Sequence, residues 1–163
     1  MKRIGILSDT HGSVPEQVYS FFKDCDELWH AGDFGSMEAL EELQRFKPLV
    51  GVFGNCDDWD IRHEMPQTQL FSREGLKILM THIGGYPKHY EPDMKALIAS
   101  ERPNIFVSGH SHILKVMHDP DYDLLHINPG AAGHQGFHRV STLVRLVLDG
   151  IPKDVEIMNF DKF

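Results

Sequence analysis

The sequence predicts an α/β protein in which two sheets pack face to face with helices on the outside. Three observations predict it. The chain up to Phe53 alternates short apolar runs with amphipathic segments, the stretch from Gln69 onward is rich in strand-like runs, and no repeat, low-complexity tract or linker divides it. With 163 residues the chain is long enough to bury one proper core, so a single domain over residues 1–163 is expected.

Each element has its own reason. Arg3–Leu7 is a buried strand, because Asp9 and His11 cut its apolar run too soon for a signal-peptide core. A helix is expected from about Pro15, where Val18, Phe21, Phe22 and Cys25 fall at i, i+3, i+4 and i+7. Proline suits the first helical turn. Glu27–Ala31 reads as a strand, Ser36–Arg45 as a helix with Ser36 at its N-cap, and Pro48–Phe53 as a third strand. Gln69–Ser72 and Lys77–Met80 flank Glu74-Gly75 as a hairpin. A helix from about Pro92 to Glu101 ends at Pro103. Asn104–Val107, Leu114–His118, Asp123–Ile127 and Ser141–Leu148 are further strands, and Val155–Met158 adds an edge strand.

Composition narrows the setting. Cys25 and Cys56 make neither a disulfide framework nor a zinc module, and the absence of an export signal points to a reducing, cytoplasmic compartment. No apolar run approaches membrane-spanning length, so no membrane partner is expected. The formal net charge of −8 argues against a long nucleic acid. It leaves room for an anionic substrate where bound cations reverse the charge locally. The 11 histidines in an acidic chain suggest a metal, which only their positions can decide.

Those positions are regular. SDTH follows the first strand and supplies Asp9 and His11; HAGD closes the second and supplies Asp33; GNCD follows the third and supplies Asn55. His82 ends Lys77–Met80, and GHSH after Asn104–Val107 supplies His110 and His112. Five apolar runs therefore end, at their carboxyl side, in metal-capable residues. Open α/β sheets place ligand sites at that edge, so all seven can converge on one pocket. Each motif alone is weak, and a single His here reads first as a core or surface residue. Together they would leave many ionisable groups packed without compensation unless cations held them. Mixed Asp, Asn and His donors suit manganese, iron, nickel, zinc or magnesium. Gly32, Gly54 and Gly109 are expected to let the backbone turn sharply at the strand ends.

In this order D-x-H, G-D, G-N-x-D, a lone His and G-H-x-H resemble the calcineurin-like metallophosphoesterases. GNCD, GHSH, the short length and NPGAAG resemble the family's small single-domain phosphodiesterase branch, which shares its architecture with the retromer scaffold subunit. The resemblance implies a four-layer α/β/β/α sandwich with a dimetal site at one sheet edge. It implies two divalent ions, manganese first among them. Asp9, His11, Asp33 and His112 would hold one ion, Asp33 would bridge, and Asn55, His82 and His110 would complete the other. Asp33, Asn55 and His110 would then act in catalysis, with a metal-activated hydroxide attacking a small phosphodiester. A phosphomonoesterase and a non-catalytic scaffold of the retromer-subunit kind are the alternatives, and a homo-oligomer is compatible with either.

One departure concerns the residue after Asn55. Many relatives carry a leaving-group His there, whereas this chain has Cys56 followed by Asp57, as in the small branch. Cys56 is expected to be a small buried packing residue rather than a nucleophile. Asp57 is expected behind position 56. His30 either orients Asp33 or belongs to the core. His134 and His138, in the glycine-rich loop after Asn128-Pro129, are candidate substrate contacts. His63, His89, His118 and His126 are read as solvated or packing residues, Trp29 as core and Trp59 as rim packing.

Overall fold

The computed structural model describes residues 1–162. Its elements are β1 (Lys2–Leu7), α1 (Glu16–Phe21), β2 (Glu27–His30), α2 (Met37–Phe46), β3 (Leu49–Gly51) and α3 (Trp59–Glu64). They continue with β4 (Thr68–Arg73), β5 (Leu76–Thr81), β6 (Gly85–Tyr86), β7 (His89–Tyr90), α4 (Pro92–Glu101) and β8 (Ile105–Val107). The chain closes with β9 (Lys115–Asp119), β10 (Leu124–Asn128), β11 (Val140–Leu148) and β12 (Pro152–Asp161).

Two five-stranded mixed sheets result, in the orders β12-β11-β1-β2-β3 and β4-β5-β8-β10-β9. Strands β1, β2 and β3 run parallel, as do β5, β8 and β10, while the remaining strands pair antiparallel toward the edges. The parallel strands are apolar on both faces because both faces are covered. Ile4 and Ile6 of β1, Trp29 of β2 and Val144 of β11 point inward against Ile78, Met80, Ile105 and Val107. Alternate residues point outward. Leu7, Leu28 and Leu143 pack beneath α1, α2 and α3 with Phe22, Leu40, Leu43 and Ile61. Leu79, Phe106 and Leu124 pack beneath Met94 and Ile98 of α4. Three apolar layers inside four structural layers give the expected α/β/β/α sandwich.

The departures are local. The first helix stops at Phe21, and Cys25 reaches the same core from a turn rather than a further helical turn. Helix α3 has no apolar stripe to announce it, since Ile61 is its one buried residue, and it is started by Asp58 accepting from Ile61 N at 3.2 Å. The β6–β7 hairpin is too short to show a period. Strand β12 is longer than Val155–Met158, because its pairing with β11 fixes it rather than an alternating pattern. Helix α4 keeps the expected bounds, and Arg102 ends it in the left-handed conformation.

His126 is the costliest choice in the outer core. It shares the outer face of its sheet with Phe106, is fully buried beside Tyr86 and Tyr90, and neither ring nitrogen has a hydrogen-bond partner. Burial, with Lys115 nearby, pushes its pKa down to about 4. In the unfolded chain the imidazole titrates near 6.5, so the unfolded state takes up a proton first as the pH falls. Stability is therefore full above that pH, is lost progressively toward pH 4, and the loss amounts to about 3 kcal/mol. His126→Leu is expected to be less acid-sensitive than the parent by about 2–3 kcal/mol between pH 7.5 and 4.5, read from urea midpoints at each pH. The buried His30, whose pKa is held near 3, leaves a residual slope in both proteins.

Candidate metal centre

The parallel strands of both sheets deliver their carboxyl ends to one place. Asp9 and His11 follow β1, Asp33 follows β2, Asn55 follows β3, His82 follows β5, and His110 and His112 follow β8. Within each sheet neighbouring loops are stitched together there: Asp9 N donates to Gly32 O and His11 N to Asp33 O in one, and Gly109 N to His82 O in the other. Across the sheets, His110 N donates to Asp9 Oδ2 at 3.2 Å.

Five of these donor residues have left-handed backbones: Asp9, His11, Asp33, His110 and His112. Each such conformation costs on the order of 1 kcal/mol outside glycine and persists only where the surroundings enforce it. The strained loops aim the side chains at one another. Asp9 Oδ1 lies 3.2 Å from His112 Nε2, 3.6 Å from His11 Nε2 and 3.8 Å from His82 Nε2. Asp33 Oδ2 lies 3.2 Å from His82 Nε2 and 3.6 Å from His11 Nε2. Asn55 Oδ1 meets His110 Nδ1 at 3.1 Å, and the His110 ring stands edge-on to His82.

The electrostatics show what this arrangement lacks. Burial pushes the Asp9 carboxyl up, but His11, His112, His82 and Ser8 outweigh it and hold the carboxyl well below its usual range. Burial likewise opposes the ionised Asp33, and His82 overcomes it. The Asp9 carboxylate beside His11 raises that imidazole's pKa. His82 is pulled down by burial and raised further by Asp33 and Asp9. Two buried carboxylates thus draw positive charge to themselves. Asp9 Oδ1, His11 Nε2 and His82 Nε2 are nevertheless buried without a hydrogen-bond partner. His82 Nδ1 is taken up at 2.7 Å by Ala31 O, which leaves Nε2 as the lone-pair nitrogen facing the carboxylates. Three ligand trios lie close together: Asp9, His11 and His112; Asp9, Asp33 and His82; and His11, Asp33 and Cys56. Buried acceptors, orphaned nitrogens and overlapping trios, two with O/N donors alone and one with the Cys56 sulfur added, fit divalent cations.

Support comes from residues behind the cluster. Asp57 is buried, and its carboxylate accepts from Gly54 N at 2.8 Å, Gly35 N at 2.9 Å and Asp33 N at 3.0 Å. Both oxygens are engaged in tying two loops together, so Asp57 does not stand behind residue 56 as a partner for an imidazole. Cys56 is exposed at the rim rather than buried, and its amide donates to Asp33 Oδ1 at 2.8 Å. Desolvation and the Asp33 carboxylate push its thiol pKa up, which disfavours a thiolate. His30 is fully buried, stacks on Phe34, and bonds Thr10 Oγ1 and Gly32 N; it braces the loops and does not reach the Asp33 carboxylate. Gly54 and Gly109 are glycines because of close approach, since a Cβ would meet Asp33 Oδ1 at 2.1 Å and Ser8 Oγ at 2.2 Å. Only Gly32 of the three has a positive φ.

The remaining predicted residues separate cleanly. His138 abuts the site, its ring edge-on to His112 and its Nε2 bonded to Gly133 O. His134 is exposed on the same loop, outside the wall of the pocket. His63 stacks on the exposed Trp59, and His118 pairs with Asp123 on the surface. Trp29 is core. The sequence reading missed Ser8, which bonds Asp9 Oδ2 at 2.5 Å, and Asn128, whose amide holds Gly109 O and Ser111 Oγ. Asn128 ends β10 at the same edge as the donors, and that position was its only signal.

A comparison of sequences decides the family. The calcineurin-like phosphoesterase superfamily domain matches residues 1–150. The chain belongs to that family. It is 32% identical over 163 residues to a probable metallophosphoesterase of Methanothermobacter thermautotrophicus, covering 95% of this chain and 91% of the relative. It is 30% identical over 144 residues to a phosphodiesterase of Methanocaldococcus jannaschii, covering 78% and 82%. In three dimensions it resembles wild-type Vps29 of Entamoeba histolytica, solved with Zn²⁺, at a TM-score of 0.74 and 15% identity, covering 99% of each chain. The last likeness concerns the fold alone. For this calcineurin-like phosphoesterase, no helix among the described residues is long and apolar enough to cross a membrane.

Asp57→Ala in this phosphoesterase would strand three backbone donors. A loss on the order of 3 kcal/mol is expected in urea unfolding, with metal affinity about 10–100-fold weaker by calorimetry. Asp33→Asn is expected to fold and to lose most of its bound metal in elemental analysis, because a neutral amide bridges two cations poorly.

Proposed function

We propose that this calcineurin-like phosphoesterase hydrolyses phosphodiesters in the cytoplasm with two divalent ions, manganese foremost. The observation that carries the reading is the convergence of the Asp9, His11, Asp33, His82 and His112 donor atoms around buried acceptors that have no other partner. Asp9, His11, Asp33 and His112 would hold one ion, Asp33 would bridge, and Asn55, His82 and His110 would complete the second site. Bound there, the ions supply Lewis acidity and an activated water.

The chain's own residues do the rest. Asp9 and Asp33 offer two negative charges, so a doubly loaded site stays net positive and attracts a phosphate ester. Asn55 and His110 stand together at the outer side of the cluster, where they can position a phosphoryl oxygen. Cys56, its thiol pKa raised by desolvation and by Asp33, is held as the neutral thiol, which disfavours a nucleophilic role. Among the described residues no lysine or arginine is in the wall of the pocket over Asp33 and Asn55, and the nearby Lys162 is engaged with Gly136 O. That favours the single charge of a diester over the double charge of a monoester, in keeping with the relative named as a phosphodiesterase. The shared fold with Vps29 keeps a scaffold role as the rival. The seven candidate donor positions support the enzyme reading, and because that Vps29 structure holds Zn²⁺, turnover rather than metal binding separates the two.

The test is hydrolysis of aryl phosphodiesters of graded leaving-group pKa by the manganese-loaded protein. Turnover is expected with a steep dependence on leaving-group pKa, and Cys56→Ser within about threefold of the parent. His63→Ala and His118→Ala should also stay within a few-fold. An inactive parent at saturating manganese rejects the enzyme reading. A folded, metal-loaded but inactive Cys56→Ser rejects the passive role of the thiol.

A further inference from the structure

The donor cluster opens into two unequal depressions that meet at Asn55. The larger, about 530 Å³, is lined by Asp33, Asn55, His110 and His112 together with Ile113 and Phe137. The smaller, about 240 Å³, includes Asn55 and His82 with Arg62 and Asp93. The two differ in chemistry. Among the described residues that line the larger trough there is no lysine, arginine or glutamate, and Asp33 is the one carboxylate; Lys162 reaches the wall from outside, donating to Gly136 O at 2.5 Å. Two large apolar side chains project at it, Ile113 at 62% and Phe137 at 107% exposure.

Exposed apolar residues are ordinary when scattered. Here both come from the two loops that frame the same donor cluster, the GHSH loop and the glycine-rich loop that carries His138. The second loop is held against the cluster: Gly133 N donates to Asp9 O, and a Cβ at Gly136 would meet His112 Nδ1 at 2.4 Å. The backbone next to Phe137 is thus in close contact with the donor residues, while the ring itself stands fully exposed at the rim of the trough.

On the reading of the site as a phosphodiesterase, we propose that the Ile113–Phe137 trough binds one ester arm of the substrate, and that this arm is neutral, planar and apolar, such as an aryl group. The phosphoryl group lies at Asn55, where the depressions meet, and the second arm enters the smaller one beside Arg62. What the outer part of the trough offers an arm is apolar contact, from Ile113 and Phe137, and the nearby Lys162 is engaged with Gly136 O at 2.5 Å. A monoester would leave one depression unused. A ring against Phe137 and Ile113 gains apolar contact and stacking worth about tenfold in binding.

Two substrates that release the same leaving group isolate the retained arm. Bis(4-nitrophenyl) phosphate and methyl 4-nitrophenyl phosphate both lose 4-nitrophenolate. The manganese-loaded parent is expected to show a KM about tenfold lower for the bis-aryl ester. In the Ile113→Ala/Phe137→Ala double variant the ratio should fall to within about twofold, whereas Phe137→Trp should retain it. Calorimetry with diphenylphosphinate and dimethylphosphinate, which have no P–O ester bond to break, reads the same preference without turnover. An aryl preference absent from the parent, or unchanged in the double variant, overturns the trough assignment. A parent that hydrolyses neither ester yet binds diphenylphosphinate in a Phe137-dependent way supports the trough and rejects the phosphodiesterase reading instead.

Discussion

Two carboxylates buried between the sheets constrain the rest of this molecule. Asp9 is fully buried and Asp33 nearly so, at a place where strands from both sheets end. A buried carboxylate is expensive unless hydrogen-bonded and matched by positive charge. Hydrogen bonds come from Ser8, the His110 amide and the Cys56 amide, each on a different loop. Positive charge comes from the surrounding imidazoles and, in the functional protein we propose, from cations. The left-handed backbones at five donor positions follow from this demand, because turning that sharply is what lets loops from both sheets reach the same few ångströms.

The sandwich makes the demand affordable. Three apolar layers run through the molecule, so the strands are anchored up to Leu7, Ala31, Phe53, Met80 and Val107, two or three residues before the donors. Asp57 then fixes the loops after β2 and β3 to one another, His30 fixes the loops after β1 and β2, and Asn128 fixes the GHSH loop from beneath. Such bracing holds ligand atoms in place before any ligand binds, which is the condition for strong electrostatic work at a site. His126 shows the opposite case, a buried imidazole with no partner, remote from the cluster in the outer core, that carries only a penalty in acid.

Much of this was legible in the sequence because the information is local. A strand, a tight turn and a donor are adjacent in the chain, so DTH, GD, GNCD and GHSH carry both the residue type and its place at a strand end. Bounds were clearest where a proline or a turn marks the end of an element, as with Pro92 and Pro103 around α4 and Glu74-Gly75 before β5. They were poorest where pairing or capping decides, as in β12 and α3. Cys56 was misread as buried because its neighbours in the chain cannot tell whether a small residue after Asn55 faces the core or the rim.

The sequence by itself determined the layered α/β architecture and the candidate donor positions at its strand ends, since both follow from hydrophobic period and from residues placed directly after strands. Only the tertiary structure decided which donors face one another, that Asp57 serves the backbone rather than residue 56, and that Ile113 and Phe137 border one trough. The physical reason is separation along the chain. His110 and Asp9 are 101 residues apart, and Asp57 is 24 from the amide of Asp33 that it holds. Contacts of that range depend on how two sheets pack and how their loops close over the edge, which no short stretch of sequence encodes.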